Sequence, residues 1–322
     1  MNKVKNIKFR LTWKSNGCVN YNGSNVTKTL KKSGVDVPYH EVNGKNVPCE
    51  NVMYGKANYT LDESGNIIRT PKVSATCIRN TILKDSEKFG AQAVYIPEVM
   101  ALFVSSPAGF LRGHMLTPDG KSYTRDSVLM VTDLNATNGV YTMENFTSHS
   151  FDEDGNRSNT SFYAKETLGE TTYESTIVFN VARAQFLCLD DRFGKKALPS
   201  NVYESGLLET AFMKKLGRKP YVEGVYTDSS ECFGKYYGMY GYLFDDDFIN
   251  YMLNKFIELL WKTEINKATG NLYLEKIEMY VETDPLAPEK EYVTLDKKDC
   301  GSYKFEYEQF WKPGTREEKF EK

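Results

Sequence analysis

The chain has 322 residues, 40% of them hydrophobic, with a formal net charge of −2 and a pI near 6.1. That balance lacks the global basic signature of a free-standing nucleic-acid binder, yet a groove needs only a local cluster of Lys and Arg. No apolar run reaches the roughly 18 residues that cross a bilayer, and Met1–Arg10 has no leader-like core, so no membrane and a reduced cytoplasm are expected.

In chain order, Val4–Lys14 alternates Ile7, Phe9, Leu11 and Trp13 with polar residues, a half-buried strand running into a turn at Ser15-Asn16-Gly17. Residues Ser24 to Thr70 form a polar excursion too long for a simple connection. Ser74 is placed to cap a helix through about Phe89, with Ile78, Ile82 and Leu83 on one face. A strand is expected over Val99–Ser105, and Pro118-Asp119-Gly120 marks a turn. The chain is then polar to Glu170. Glu174–Asp190 suggests a long strand, with Ile177, Phe179 and Val181 in one phase and Phe186 and Cys188 in the other, as across a bulge. Asp245-Asp246-Asp247 opens the clearest helix, with Gly270 as its terminator. Asn271–Glu282 is a last strand, and Lys312–Lys322 is expected to fray.

Strand, helix, strands, helix, strand is the order of a split βαβ, ferredoxin-like core, which is also the RRM scaffold. The expected class is α+β, one domain spanning 1–322.

Catalytic signatures are missing. His40, His114 and His149 stand in no metal-binding spacing, and nucleophile-elbow, Walker and dinucleotide loops are absent. No catalytic residue, metal or cofactor is expected. The six cysteines form no C-x-x-C pair; Cys77 and Cys188 lie in apolar runs that favour buried thiols.

Several segments suit RNA instead. Arg79 sits at the start of the first helix, where backbone N–H groups favour phosphate, and Ser74 precedes it. Arg112 stands beside Gly113, which lets a ligand backbone approach. Lys121, Tyr123 and Arg125 interleave cations with an aromatic. The densest stretch runs from Arg157 through Asn159, Thr160, Ser161, Phe162 and Tyr163 to Lys165, combining cations, hydroxyls, an amide and two aromatics. Each segment has a plainer alternative, such as a solvated cation or a packed hairpin.

Taken in order, Val19-Asn20-Tyr21-Asn22-Gly23, Cys77-Ile78-Arg79, Leu111-Arg112-Gly113, Arg157, Thr160–Lys165, Thr167, Gly169-Glu170-Thr171, Tyr173, Gln185-Phe186, Leu189-Asp190 and Phe193 resemble the Cascade backbone subunit of the minimal type I-F variant of CRISPR systems. The family pattern has an acidic residue where Ser158 stands. The resemblance implies an RRM-like palm with a β-rich thumb within about 114–172 and a finger or web insertion at about 24–70. It also implies a non-catalytic RAMP-type protein of antiviral defence, polymerising head-to-tail along crRNA. Its partners would be copies of itself, other Cascade subunits and the target DNA strand paired to the guide. Phosphate contacts would fall to Arg79, Arg112, Arg157 and Lys165, hydrogen bonds to Asn22, Thr160 and Ser161, and stacking to Phe162. Two alternatives stay open: an RNA-cleaving backbone like that of type III systems, using Asp126 or Asp133, and a viral mimic of the subunit.

Overall fold

The computed structural model describes the chain except residues 1–2, 26–28, 33–34, 43–44, 49–50, 85–94, 152–156, 192–195, 229–237, 287–288, 290, 300 and 315–322. β1 (Asn6–Gly17) buries Ile7, Phe9, Leu11 and Trp13 on one face, as alternation requires. It runs on through Gly17, where a turn was expected. Gly17 adopts φ +83°, and a Cβ there would lie 2.3 Å from the Thr269 carbonyl oxygen, so only glycine lets the neighbouring strand approach.

Next come β2 (Tyr21–Asn25), β3 (Thr29–Lys32), β4 (Val35–Val42), β5 (Lys45–Pro48), β6 (Asn51–Gly55), β7 (Ala57–Leu61) and β8 (Ile67–Val73). α1 (Ala75–Ile82) is shorter than expected, though Ile78, Ile82 and Leu83 are all buried. Residues 99–105 are helical, not extended: α2 (Pro97–Ser105) starts on proline and buries Met100, Phe103 and Val104. A short apolar run suits either state, and Pro97 at the first turn favours the helix. α3 (Pro107–Arg112) is capped by the Ser106 hydroxyl, which accepts from Gly109 N at 3.1 Å.

β9 (His114–Leu116) and β10 (Tyr123–Arg125) form a hairpin around the turn at Pro118–Gly120. β11 (Leu129–Val131), β12 (Leu134–Ala136), β13 (Tyr141–Phe151), β14 (Arg157–Leu168) and β15 (Glu170–Asn180) follow. β15 stops short of Asp190. Asn180 accepts from Arg183 N at 2.9 Å and caps α4 (Val181–Gln185), which precedes β16 (Phe186–Cys188). A helical turn, not a bulge, therefore makes the change of phase.

α5 (Ser200–Tyr203), α6 (Leu207–Leu216), β17 (Tyr221–Asp228) and β18 (Met239–Phe244) lead to α7 (Asp246–Trp261). Asp245 caps α7 by accepting from Phe248 N at 2.8 Å, with Asp246 and Asp247 in the first turn. The helix ends at Trp261. Gly270 instead opens β20 (Gly270–Glu282), the partner of β19 (Glu264–Lys267) in a hairpin. β21 (Val293–Thr294) and β22 (Trp311–Pro313) complete the chain; β22 pairs with β17, so this part of the expected frayed tail is tied down.

The main sheet has the order β19-β20-β1-β15-β12-β8-β7, with β11 also on β15 and β21 on β20. Its centre, β20-β1-β15-β12, is antiparallel throughout. The core lies on the face of β1 that carries Phe9, whose ring meets Phe256 of α7 edge-on at 5.3 Å. Phe110, Phe212, Phe244 and Phe248 continue it into the helical side. Among the described residues, no helix is long and apolar enough to cross a membrane.

Candidate nucleic-acid interface

The two polar excursions meet. β13, β14, β6 and β2 form one four-stranded sheet, so strands from 21–55 and from 141–168 lie side by side. β14 pairs antiparallel with β13 and parallel with β6, through Tyr163↔Asn51, Ala164↔Val52 and Lys165↔Met53. β2 closes the sheet against β6. Asn22 on β2 and Arg157, Asn159, Thr160, Ser161, Phe162 and Lys165 on β14 thus belong to a single arm.

Lys165 and Glu166 are neighbours along β14 and so face opposite sides of the sheet. Lys165 is half-buried and Glu166 is buried. Lys165 Nζ lies 5.1 Å from the centroid of the Tyr21 ring, a cation set on an aromatic face beside the arm's root.

That root is polar and closed. Arg69 of β8 holds the Glu166 carboxylate through both terminal nitrogens, with Nη2 2.6 Å from Oε2, and Nη2 also donates to Gly55 O at 2.9 Å. Gly55 N returns a hydrogen bond to Glu166 Oε2 at 2.8 Å. The Tyr21 hydroxyl donates to Glu166 O at 2.9 Å, and the Tyr141 hydroxyl to Lys56 O at 2.8 Å. The Arg69 guanidinium also lies over the Tyr141 ring at 4.7 Å. Glu166 raises the Arg69 pKa above its usual range, and burial raises those of Tyr21 and Tyr141. Gly55 is required there, because a Cβ would fall 2.3 Å from the Tyr141 ring.

The remaining candidates lie on other elements. Ser74 precedes α1 without a side-chain cap; Asp133 takes that role, accepting from Ala75 N at 2.8 Å and pairing with Lys72 at 3.0 Å. These bonds hold the Asp133 carboxyl below the usual carboxylate range. The start of α1 is thus already occupied by an anionic side chain. Arg79 is half-buried on α1, with Nε lacking a hydrogen-bond partner. Arg112 ends α3, half-buried, and Lys121 is exposed near the 118–120 turn. Gly113, at φ +69°, faces the chain itself: a Cβ would meet Arg125 O at 2.4 Å, so its close approach is internal.

Arg125 departs from the expectation. It is 8% exposed, donates to Phe110 O and to Arg183 O (3.3 Å), and lies 4.2 Å from the Phe110 ring centroid. Burial pushes its pKa down to about 9. Its work is inside the fold.

Sequence reasoning missed Arg69, Glu166, Tyr141 and Tyr21 as one group. Glu166 stood inside the distinctive stretch, yet nothing in the spacing links it to Arg69. Of the resembling residues, Phe193 lies outside the described ones, and the side chains of Asn22 and of residues 157–164 are not described. No group of three His, Cys, Asp or Glu that could hold a metal occurs among the described residues.

Solved structures similar to the chain include one titled "CRISPR RNA-guided surveillance complex", at 11% identity over 85% of this chain and 72% of the other, TM-score 0.33. A second, of such a complex in a pre-nicking state, gives 8% identity, 88% and 80% coverage and TM-score 0.36. Csc2 of Thermofilum pendens gives 9% identity, 85% and 67% coverage and TM-score 0.32. No curated protein matches the chain. The model of a family described as "Type I-Fv CRISPR-associated protein Cas7fv-like" matches residues 3–308.

Proposed function

Since the chain belongs to the Cas7fv-like family of type I-Fv CRISPR-associated proteins, we propose that it is a guide-RNA-binding backbone subunit of a Cascade-type surveillance complex. Copies would line the crRNA head-to-tail, meet other Cascade subunits, and present the guide to a target DNA strand. The main sheet with its helices would serve as the palm. The β13-β14-β6-β2 arm, built from both insertions, would serve as the thumb.

One observation carries this reading: the arm gathers Asn22, Arg157, Asn159, Thr160, Ser161, Phe162 and Lys165 into one sheet clamped at its root. Cations and hydroxyls along one strand of that sheet suit a ribose–phosphate chain, and an aromatic among them suits an unstacked base. Arg79, Arg112 and Lys121 would add phosphate contacts from neighbouring elements. Catalysis is not part of the proposal, since Asp133, one of the two carboxylates considered for RNA cleavage, caps α1 and pairs with Lys72.

Fluorescence anisotropy with a guide-length single-stranded RNA tests it. Binding should be indifferent to base sequence and weaken steeply with salt. Absence of binding at low salt removes the proposal. Incubation with matched RNA and magnesium tests the cleaving alternative, which requires cuts at regular intervals.

A further inference from the structure

The β7–β8 hairpin exposes large apolar side chains at a rigid tip. Leu61 and Ile67 face each other across the ladder and are 70% and 72% exposed. Tyr59, two residues from Leu61 and so on the same face, extends the patch along β7, the sheet's edge strand. The tip is held by Asp62, whose carboxylate accepts from Ser64 N at 2.9 Å, Asn66 N at 2.8 Å and Asn66 Nδ2 at 3.1 Å. A preorganised apolar tip loses little entropy on docking, and an exposed edge patch of this kind marks a contact surface. Asp62 and Glu63 make the tip acidic.

A complementary surface exists elsewhere. A groove of about 480 Å³ lies between the end of α1, the start of α3 and the last turns of α7, with Ile82, Pro107 and Ala108 in its apolar lining. Lys84, Lys255 and Lys262 also line it, against one carboxylate, Glu258, which pairs with Lys255 and Lys262. Three lysines against one glutamate leave the rim basic.

We propose that the β7–β8 tip of one copy docks into the α1–α3–α7 groove of the next, Leu61 and Ile67 entering the apolar floor while Asp62 and Glu63 meet the lysine rim. Tip and groove are different surfaces, so the contact is heterologous and propagates head-to-tail rather than closing a two-fold dimer. One hairpin tip is small beside the roughly 1,200 Å² of a stable interface, so a shared RNA would supply the effective concentration. This inference rests on the backbone-subunit reading and adds to it where consecutive copies touch.

Two surface variants test it, Leu61→Lys/Ile67→Lys at the tip and Lys84→Glu/Lys262→Glu at the groove. Sedimentation with a long single-stranded RNA, and at high protein concentration without RNA, reads assembly. Anisotropy with an oligonucleotide long enough for one copy reads RNA binding separately. Each variant alone should bind the short RNA as the parent does and lose the cooperative gain on long RNA, on the order of 10²-fold. Mixed, the two variants retain one intact contact and should stop at pairs. Multimers formed by the tip variant as by the parent overturn the proposal, as does a parent that stays monomeric in both conditions. A parent that assembles through the tip but binds no RNA upholds the contact and removes the guide-binding function. Assembly lost in the groove variant but kept in the tip variant assigns the groove to another occupant and also overturns it.

Discussion

Arg69 on β8 and Glu166 on β14 are 97 residues apart in sequence and share a two-pronged ion pair, with Arg69 Nη2 2.6 Å from Glu166 Oε2. The pair joins the main sheet to the arm at a point where the carboxylate is almost wholly enclosed: the Glu166 side chain is 6% exposed and that of Arg69 26%. Removing one partner leaves a buried charge alone, which costs about 3–5 kcal/mol, whereas removing both together costs less. Arg69→Met and Glu166→Gln should each lower the urea midpoint strongly, and the double variant should recover part of the loss. Hydrogen exchange should locate the loosening in 141–168. Strict additivity of the two losses rejects this role for the pair.

The arm cations and the buried arginine should behave oppositely. Arg157→Ala and Lys165→Ala should weaken RNA binding whatever the base sequence, each reducing the slope of log affinity against log salt by about 0.7. Arg125→Met should lower thermal stability and leave that slope alone, because its guanidinium is committed to Phe110 O and Arg183 O. A changed slope in Arg125→Met contradicts the assignment.

His114 makes stability depend on acid. Burial, and the nearby Arg125 charge, push its pKa from 6.5 down to about 4, while its Nε2–H donates to Ala197 O at 2.8 Å. The folded protein therefore refuses a proton that the unfolded chain accepts. This contribution is complete above about pH 6.5 and is lost as pH falls toward about 4, up to about 3 kcal/mol. Thermal melts of the parent and of His114→Phe across that window should converge as pH drops. Parallel curves refute it.

Asp133 separates structure from chemistry. Asp133→Ala removes a helix cap and the Lys72 partner, so it should destabilise by about 1 kcal/mol. RNA incubated with magnesium should remain intact in parent and variant alike. Cleavage by the parent that vanishes in the variant assigns Asp133 to catalysis.

Much of the scaffold is legible along the chain because its signals are local. The alternation of Ile7, Phe9, Leu11 and Trp13 marks β1, and the aspartates at 245–247 mark the start of α7. Residues 99–105 misled because a short buried helix and a buried strand share one apolar pattern. Ser74 misled because its place as cap is taken by Asp133, 59 residues on. The candidate RNA stretch was recognisable by composition. That it pairs with residues 51–53, or that Glu166 within it meets Arg69, depends on register between distant strands and leaves no trace in spacing.

The way the arm leaves the main sheet has a consequence for inheritance and engineering. β1 passes to β2, β6 to β7, β12 to β13 and β14 to β15 through connections of four residues or fewer, so the backbone crosses the boundary four times. An appendage with a single stalk can be lost, lengthened or exchanged by one genetic event. This one has four stalks scattered along the sequence, and replacing it requires matching cuts at all of them. Change should therefore accumulate in the arm away from these four crossings, while its base stays fixed. A chimera that borrows a relative's arm should fold only when all four crossings and the Arg69–Glu166 clasp come with it.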